Sequence, residues 1–108
     1  MDNPDLGIAD LKLSIALSKD FAEGYGNLGG AYMKKGDWQN AVTSFSKAIE
    51  ISRQRGKSIS KQIYGRATAY EKMGDLLKAQ GDYKESCRLS NKGCAKTNLV
   101  PLAVLPTP

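Results

Sequence analysis

The side chains that could support catalysis are scattered along this 108-residue chain and form no recognisable motif. The sequence has no histidine, so it lacks the commonest general base and the commonest metal ligand. Its serines therefore have no histidine to activate them, and no glycine-rich phosphate-binding motif is present. Four glutamates occur singly, without paired or metal-like spacing: Glu23, Glu50, Glu71 and Glu85. We expect no enzymatic activity, no catalytic residue, no metal site and no cofactor.

The two cysteines, Cys87 and Cys94, are the other reactive side chains, and their spacing matches no metal or redox motif. Helical periodicity places Cys87 on the apolar face of the last predicted helix, where it would act as a small buried hydrophobic residue. Cys94 follows in a polar turn and is expected to be exposed. We favour a structural or incidental role for both thiols over a disulfide, which a reducing compartment would not permit.

The composition is that of an ordinary globular domain, with 41% hydrophobic and 25% charged residues. The acidic start, residues 1–5, is unlike a signal peptide, and no apolar run reaches the ~18 residues of a membrane span. We expect one domain, no contact with a membrane, and the cytoplasm as the default location.

The net charge of +5 is concentrated between Ile51 and Tyr70, where Asp and Glu are absent. The basic residues there are Arg53, Arg55, Lys57, Lys61 and Arg66. Such a run can attract an acidic partner or nucleic acid. Only Tyr64 adds an aromatic side chain of the kind that single-strand binding uses, so a solvated linker is the preferred interpretation and nucleic-acid binding is not expected.

Hydrophobic periodicity predicts five helices. They cover residues 4–18, 22–34, 38–53, 58–73 and 76–90. In the first helix two apolar stripes lie nearly opposite each other, which predicts burial on both sides. In the last helix the expected inward residues are Leu76, Ala79, Tyr83, Cys87 and Leu89. Prolines then predict that residues 93–108 form an apolar, irregular tail.

Residue types recur with a period of 38. Ala31-Tyr32 matches Ala69-Tyr70, Gly36-Asp37 matches Gly74-Asp75, Ala41 matches Ala79, and Phe45 matches Tyr83. Each Gly-Asp pair is predicted to end one helix and to cap the next. A repeat of this length indicates helical hairpins that must stack on one another to bury their apolar faces.

The first copy resembles the tetratricopeptide repeat, through Tyr25-x2-Leu28-Gly29-x2-Tyr32 followed by Ala41-x3-Phe45. The resemblance implies an all-α fold, a right-handed solenoid of antiparallel helix hairpins. We predict a half repeat at 4–18 and full repeats at 22–53 and 58–90, within one domain over residues 1–92. Two features depart from the family: Arg53 stands where a proline usually closes the repeat, and the linker at 52–61 is longer than standard.

The resemblance also implies a protein–protein interaction scaffold, because the first helices of such repeats line a concave groove that receives a peptide or protein. Carried over by position, the candidate groove residues are Glu23, Asn27, Gly30, Lys34, Lys61, Tyr64, Thr68 and Lys72. One subfamily binds the acidic C-termini of heat-shock chaperones through a carboxylate clamp. Asn27 and Lys61 match clamp positions, whereas Gly30 and Gly65 replace polar or basic clamp residues, so the clamp is not favoured.

The alternative function is self-assembly into a homo-oligomer through apolar residues at the two ends of the repeat stack. Leu6 and Leu13 occupy positions on the outer, usually polar side of a repeat's second helix. The tail adds Leu99, Val100, Leu102, Val104 and Leu105. Exposed together, these residues would form a larger apolar patch than soluble monomers usually carry. A tail that folds back on its own last hairpin, or that is disordered, remains open.

Overall fold

The computed structural model of this protein describes residues 4–17 and 22–100. Within these residues the chain forms five α-helices and one 3-10 turn. They are α1 (Pro4–Leu17), α2 (Ala22–Lys35), α3 (Trp38–Gln54), α4 (Ser60–Lys72), α5 (Leu76–Ser90) and the turn Cys94–Lys96. The five predicted helices are confirmed, and their ends lie within two residues of the prediction.

Glycine and aspartate separate the helices of each hairpin. Gly36 and Gly74 have φ values of +80° and +82°, a left-handed conformation that glycine adopts without steric cost. The next residue, Asp37 or Asp75, accepts a hydrogen bond from a backbone N–H at the start of the following helix. The predicted stop and cap are therefore confirmed in both copies, and each turn directs two helices into an antiparallel hairpin.

The hairpins α2–α3 and α4–α5 stack on each other through α3 and α4, while α1 packs on α2. Small residues fill the space between the packed helices. Ala41 and Ala48 on α3, and Ala67 and Ala69 on α4, have no exposed surface. The fold is the predicted all-α stack of antiparallel helix hairpins.

Phe45 of α3 fixes the distance between α2 and α4. A Cβ atom added at Gly29 would lie 2.8 Å from its ring, and one added at Gly65 would lie 2.7 Å from it. Because real Cβ atoms do not approach so closely, the ring fits only where both neighbouring helices carry glycine. The glycine at position 65, which departs from the clamp pattern, therefore has a packing role.

Helix α1 buries only one of its two apolar stripes. Ile8 and Ile15 are buried in the core that α2 and α3 share. On the other stripe the exposed fractions are 65% for Leu6, 63% for Leu13 and 83% for Leu17. The expectation that α1 is buried on both sides is therefore wrong for the described residues, since α2 is the only helix that α1 contacts there.

After α5 the chain turns back along its own hairpin in a segment that we call the C-terminal strap, residues 91–100. Asn91 and Gly93 adopt positive φ values of 61° and 82°, which reverse the chain direction. Leu99 then packs against the cluster formed by Ala67, Ala79 and Tyr83. The start of the predicted tail is thus half-buried against its own chain, whereas Leu102, Val104 and Leu105 lie outside the described residues.

The strap also overturns the preferred interpretation of the cysteines, because Cys87 and Cys94 form a disulfide with a Cα–Cα distance of 4.9 Å. The reversal after α5 brings the two residues together, and helical periodicity alone cannot predict such a reversal.

Two of the residues that were predicted to face inward on α5 are exposed. Leu76 and Leu89 are 38% and 40% exposed, because no further helix among the described residues covers that side of α5.

Candidate functional site

A groove of about 1060 Å³ runs between α1, α2 and α4, and Lys92 of the strap lines it as well. Its lining residues are Leu6, Gly7, Leu11, Gly26, Asn27, Gly30, Ala31, Lys34, Phe45, Lys61, Tyr64, Gly65 and Lys92. Five of the predicted groove residues are therefore brought together in one site. They are Asn27, Gly30, Lys34, Lys61 and Tyr64.

Small and apolar residues make the groove deep. The ring of Phe45 lies at its floor, between α2 and α4. A Cβ atom added at Gly7 or Gly30 would meet no atom within 4 Å, so the missing side chains leave open space at the walls. Such walls leave room for another backbone to approach the helices closely.

The charged residues that line the groove are all basic: Lys34 on α2, Lys61 on α4 and Lys92 on the strap. Asp and Glu are absent from the lining that the described residues form in this cavity. An anionic group in this groove would therefore meet three positive charges and no fixed negative charge among the lining residues. Asn27 adds a side-chain amide, which can both donate and accept hydrogen bonds.

A second cavity of about 330 Å³ adjoins the groove beside the α3–α4 linker. The two cavities share Gly26, Asn27, Phe45 and Lys61, so they form one continuous depression. Glu23, another predicted groove residue, lies in this second cavity with Lys57 of the linker. The longer linker, which departs from the family pattern, thus extends the groove.

The structure places the last two predicted groove residues elsewhere. Thr68 is half-buried, and its hydroxyl lies 3.2 Å from the hydroxyl of Tyr83 on α5. Lys72 is exposed at the end of α4 and lines neither cavity. Thr68 and Lys72 do not line the groove because the residues after Gly65 on α4 lie past its end.

Eight lining residues were missed by sequence reasoning as parts of the groove. Four of them lie on α2, α3 and α4: Gly26, Ala31, Phe45 and Gly65. The other four lie outside these helices. Leu6, Gly7 and Leu11 come from α1, and Lys92 comes from the strap. Leu6 was expected on the outer side of α1, but its exposed side chain reaches the mouth of the groove. The signal for Lys92 was the pair Asn91 and Gly93, whose conformational freedom favours a chain reversal.

A polar network supports the groove behind Tyr64. The ring of Tyr64 stacks edge-on against that of Tyr83 at 5.5 Å. The hydroxyl of Tyr83 donates to Glu71 Oε1 at 2.7 Å, and Lys96 Nζ of the strap donates to the same oxygen at 3.1 Å. The hydrogen bond from Tyr83 has the largest effect in lowering the pKa of Glu71, and the bond from Lys96 lowers it further. Burial raises the pKa of Tyr83.

A half-buried ion pair joins the two helices of the second hairpin. Arg66 on α4 donates two hydrogen bonds to the carboxylate of Asp82 on α5, at 2.8 and 2.9 Å, and a third to Ser46 on α3 at 3.1 Å. The hydrogen bonds to Asp82 raise the pKa of the guanidinium further above its ordinary value. This arginine of the basic run is therefore engaged in packing, which takes it out of the groove.

Among the described residues, no group of three or more Cys, Asp or Glu side chains is arranged to bind a metal ion. In the same part of the chain, no helix has both the length and the apolar character needed to cross a membrane.

Comparison with known proteins gives two findings. Residues 20–92 match the tetratricopeptide repeat family. The fold is similar to the solved N-terminal domain of stress-induced protein-1 (STI-1) from C. elegans, with a TM-score of 0.72 and 21% sequence identity over 76% of this chain and 67% of that one. No curated protein sequence is similar enough to count as a relative.

Proposed function

Because the chain belongs to the tetratricopeptide repeat family, we propose that it binds a peptide or a protein segment in the groove between α1, α2 and α4. The family is generally a non-enzymatic interaction scaffold, which agrees with the scattered carboxylates and the lack of histidine. The chain itself would act through shape and polar complementarity, without a chemical step.

The observation that carries the proposal is the groove, which combines an apolar floor with a few polar groups at its edges. This combination is typical of binding sites, because burial of apolar side chains supplies affinity and the polar groups fix the orientation. We propose that Asn27 and Lys61 hydrogen-bond the backbone or a carboxylate of the bound segment, and that Lys34 and Tyr64 contact its side chains.

The test selects peptides that bind the wild-type protein from a display library and then measures their affinity for two glycine variants. Gly30→Leu places a large side chain in open space within the groove, so we expect its affinity for the selected peptides to fall about tenfold or more, equivalent to ~1.4 kcal/mol. Gly81→Leu is the matched control, because Gly81 is exposed on α5, away from the groove, and also has no atom within 4 Å of an added Cβ. Equal binding by the two variants would place the site outside the groove.

A second function, self-assembly, is favoured by the exposed leucines of α1. Leu13 and Leu17 are 63% and 83% exposed and follow each other by one helical turn. We propose that a second copy of this chain covers them. Leu99 and Val100 are half-buried within their own chain, so the proposal depends less on them, and Leu102, Val104 and Leu105 remain predicted contributors.

The cytoplasmic location also remains a prediction. The disulfide bears on it, because such bonds are rare in reducing compartments and persist in oxidising ones. Fractionation of the cells that make this protein, with thiols blocked before lysis, would show both the compartment and the oxidation state.

A further inference from the structure

The disulfide fixes the strap to the end of α5. Cys87 lies in the last turn of α5 and Cys94 begins the 3-10 turn, so the bond closes a short loop that contains the reversal at Asn91 and Gly93. Outside this loop the strap is attached by a few contacts: the Lys96–Glu71 ion pair, Leu99 against the Tyr83 cluster, and Val100 N–H donating to Gln80 Oε1 at 2.9 Å. The disulfide is the one covalent cross-link between the strap and α5 among the described residues, and it adds to these contacts.

The strap forms part of the groove in two ways. Lys92 lies inside the disulfide loop and lines the groove directly. Gly93 packs so closely that an added Cβ would lie 2.8 Å from the Tyr83 ring and 3.4 Å from the Tyr64 ring. The strap thus supports Tyr64, which lines the groove, and adds the third of its three positive charges.

We infer that Lys92 makes the groove selective for a peptide that carries acidic side chains beside an apolar one, and that the Cys87–Cys94 disulfide maintains this selectivity. The inference rests on the proposed peptide-binding function. It goes further by assigning the charge of the partner and a redox requirement. Lys34, Lys61 and Lys92 surround the apolar floor of the groove, and no acidic residue is among its described lining residues. Glu23 lines the adjoining cavity, but Lys57 lies there too, so basic side chains still outnumber acidic ones and the depression complements an acidic peptide.

The disulfide would be reduced by thiol–disulfide exchange with a dithiol reductant, and this reduction would end the selectivity. Cys94 is exposed, so a thiolate of the reductant can attack its sulfur, break the protein disulfide and release Cys87 as a thiolate that takes up a proton. The second thiol of the reductant then displaces Cys94. The protein gains two thiols and the dithiol becomes a disulfide, so two electrons and two protons are transferred. The strap is then held only by its non-covalent contacts.

Hydrogen exchange tests the strap without any ligand. We compare the oxidised protein with the protein in dithiothreitol and with the Cys87→Ser/Cys94→Ser double variant, which cannot respond to reductant. The backbone N–H groups of Lys96 and Val100 are the reporters, because both donate hydrogen bonds within the strap or from it. The disulfide limits the conformations that the opened strap can adopt, and so it disfavours opening. For a loop of this length, the loop-closure entropy predicts that exchange becomes about fifty-fold faster once the disulfide is lost.

The exchange pattern decides between three results. Faster exchange confined to the strap and to the end of α4, with α2 and α3 unchanged, supports the inference. Unchanged protection of Lys96 and Val100 overturns it, because the strap would then be held without the disulfide. Loss of protection along the whole chain overturns it as well, since the disulfide would then stabilise the fold as a whole.

Two fluorescent eight-residue peptides test the selectivity: one carries a leucine between glutamates, and the other carries the same leucine between glutamines. We expect the acidic peptide to bind the oxidised protein more tightly, and Lys92→Gln or reduction to weaken it about two- to fivefold, the effect of one exposed charge pair. Binding of the neutral peptide to the Lys92→Gln variant should not change.

An acidic peptide whose affinity is unaffected by both changes would overturn the inference. If neither peptide binds the oxidised protein, the proposed groove function fails for these probes. The exchange measurement then decides separately whether the disulfide holds the strap at the groove.

Discussion

At the scale of single residues, the space around Phe45 links packing to the groove. Its ring is 7% exposed and lies between α2 and α4, where two glycines leave room for it. Glycine in a helix interior costs up to ~1 kcal/mol relative to alanine, so Gly29 and Gly65 lower helix propensity in exchange for a close helix contact. The same ring is the floor of the groove, so a change that displaces it also changes the shape of the proposed binding site.

We predict that Gly65→Ala destabilises the protein by about 1–3 kcal/mol, because the added methyl group overlaps the Phe45 ring and an aromatic ring cannot bend away. Urea unfolding followed by circular dichroism measures the change. Gly30→Ala is the control: its methyl group meets nothing within 4 Å, so higher helix propensity should raise the stability by up to ~1 kcal/mol. A Gly65→Ala variant as stable as Gly30→Ala would contradict this account of the packing.

The ion pair between Arg66 and Asp82 gives a second prediction at this scale. Its side chains are 21% and 14% exposed, so solvent screens the pair only in part. We expect Asp82→Asn to lower the free energy of unfolding by about 1.5–3 kcal/mol, because the guanidinium loses a charged partner while it stays half-buried.

The control for Asp82→Asn is Asp75→Asn, measured in the same urea series. Asp75 is paired with Lys78 at 3.8 Å on the surface, and asparagine caps a helix as well as aspartate does. We expect this control to change the stability by less than ~0.5 kcal/mol. Similar losses in the two variants would show that the half-buried pair has no special weight.

At the scale of elements, the strap depends on Glu71 at the end of α4, which accepts from both Tyr83 and Lys96. The pKa of Glu71 lies below its ordinary value of 4.5, so the folded state favours the charged carboxylate. A lowered pKa means that the unfolded chain binds the proton more readily. The contribution of Glu71 to stability is therefore complete above pH 4.5 and is lost as the pH falls through the lowered pKa.

We predict that Glu71→Gln is less stable than the wild type at pH 7 and that this difference shrinks as the pH falls below 4.5. Glutamine still accepts a hydrogen bond from Tyr83, so the comparison isolates the charge. Thermal unfolding of both proteins between pH 3 and pH 7 measures the difference. A difference that is independent of pH would mean that Glu71 acts through shape and neutral hydrogen bonds alone.

The elements also show how far the sequence could predict this protein. The helices were predictable because their ends carry local signals, such as Gly36 before Asp37, and their interiors carry a regular apolar period. Five of the thirteen residues that line the groove followed from the family pattern for the same reason, since residues such as Asn27 and Lys61 occupy repeat positions. The contribution of Lys92 and the disulfide were not predictable, because both depend on a chain reversal that brings residues of the irregular segment back onto α4 and α5.

At the scale of the whole molecule, the stack has two different ends. The strap covers part of the last hairpin, where Tyr83 has no exposed surface. At the other end, α1 buries Ile8 and Ile15 but exposes Leu13 and Leu17. These two leucines are more exposed than Leu76, Leu77 and Leu89 of α5. Because soluble monomers rarely carry large exposed apolar patches, the α1 end is where we expect a second copy to bind.

The final prediction is that changing Leu13 and Leu17 together to lysine weakens self-association at least about tenfold, a change of ~1.4 kcal/mol. Full burial of one leucine contributes ~1.5–3 kcal/mol, and lysine at the same position adds charge repulsion between copies. Sedimentation across a concentration series measures the association, with Leu77→Lys as the control because Leu77 is 48% exposed on α5, away from α1. A wild-type protein that stays at 11.7 kDa at every concentration would contradict self-assembly and leave the groove as the interaction surface.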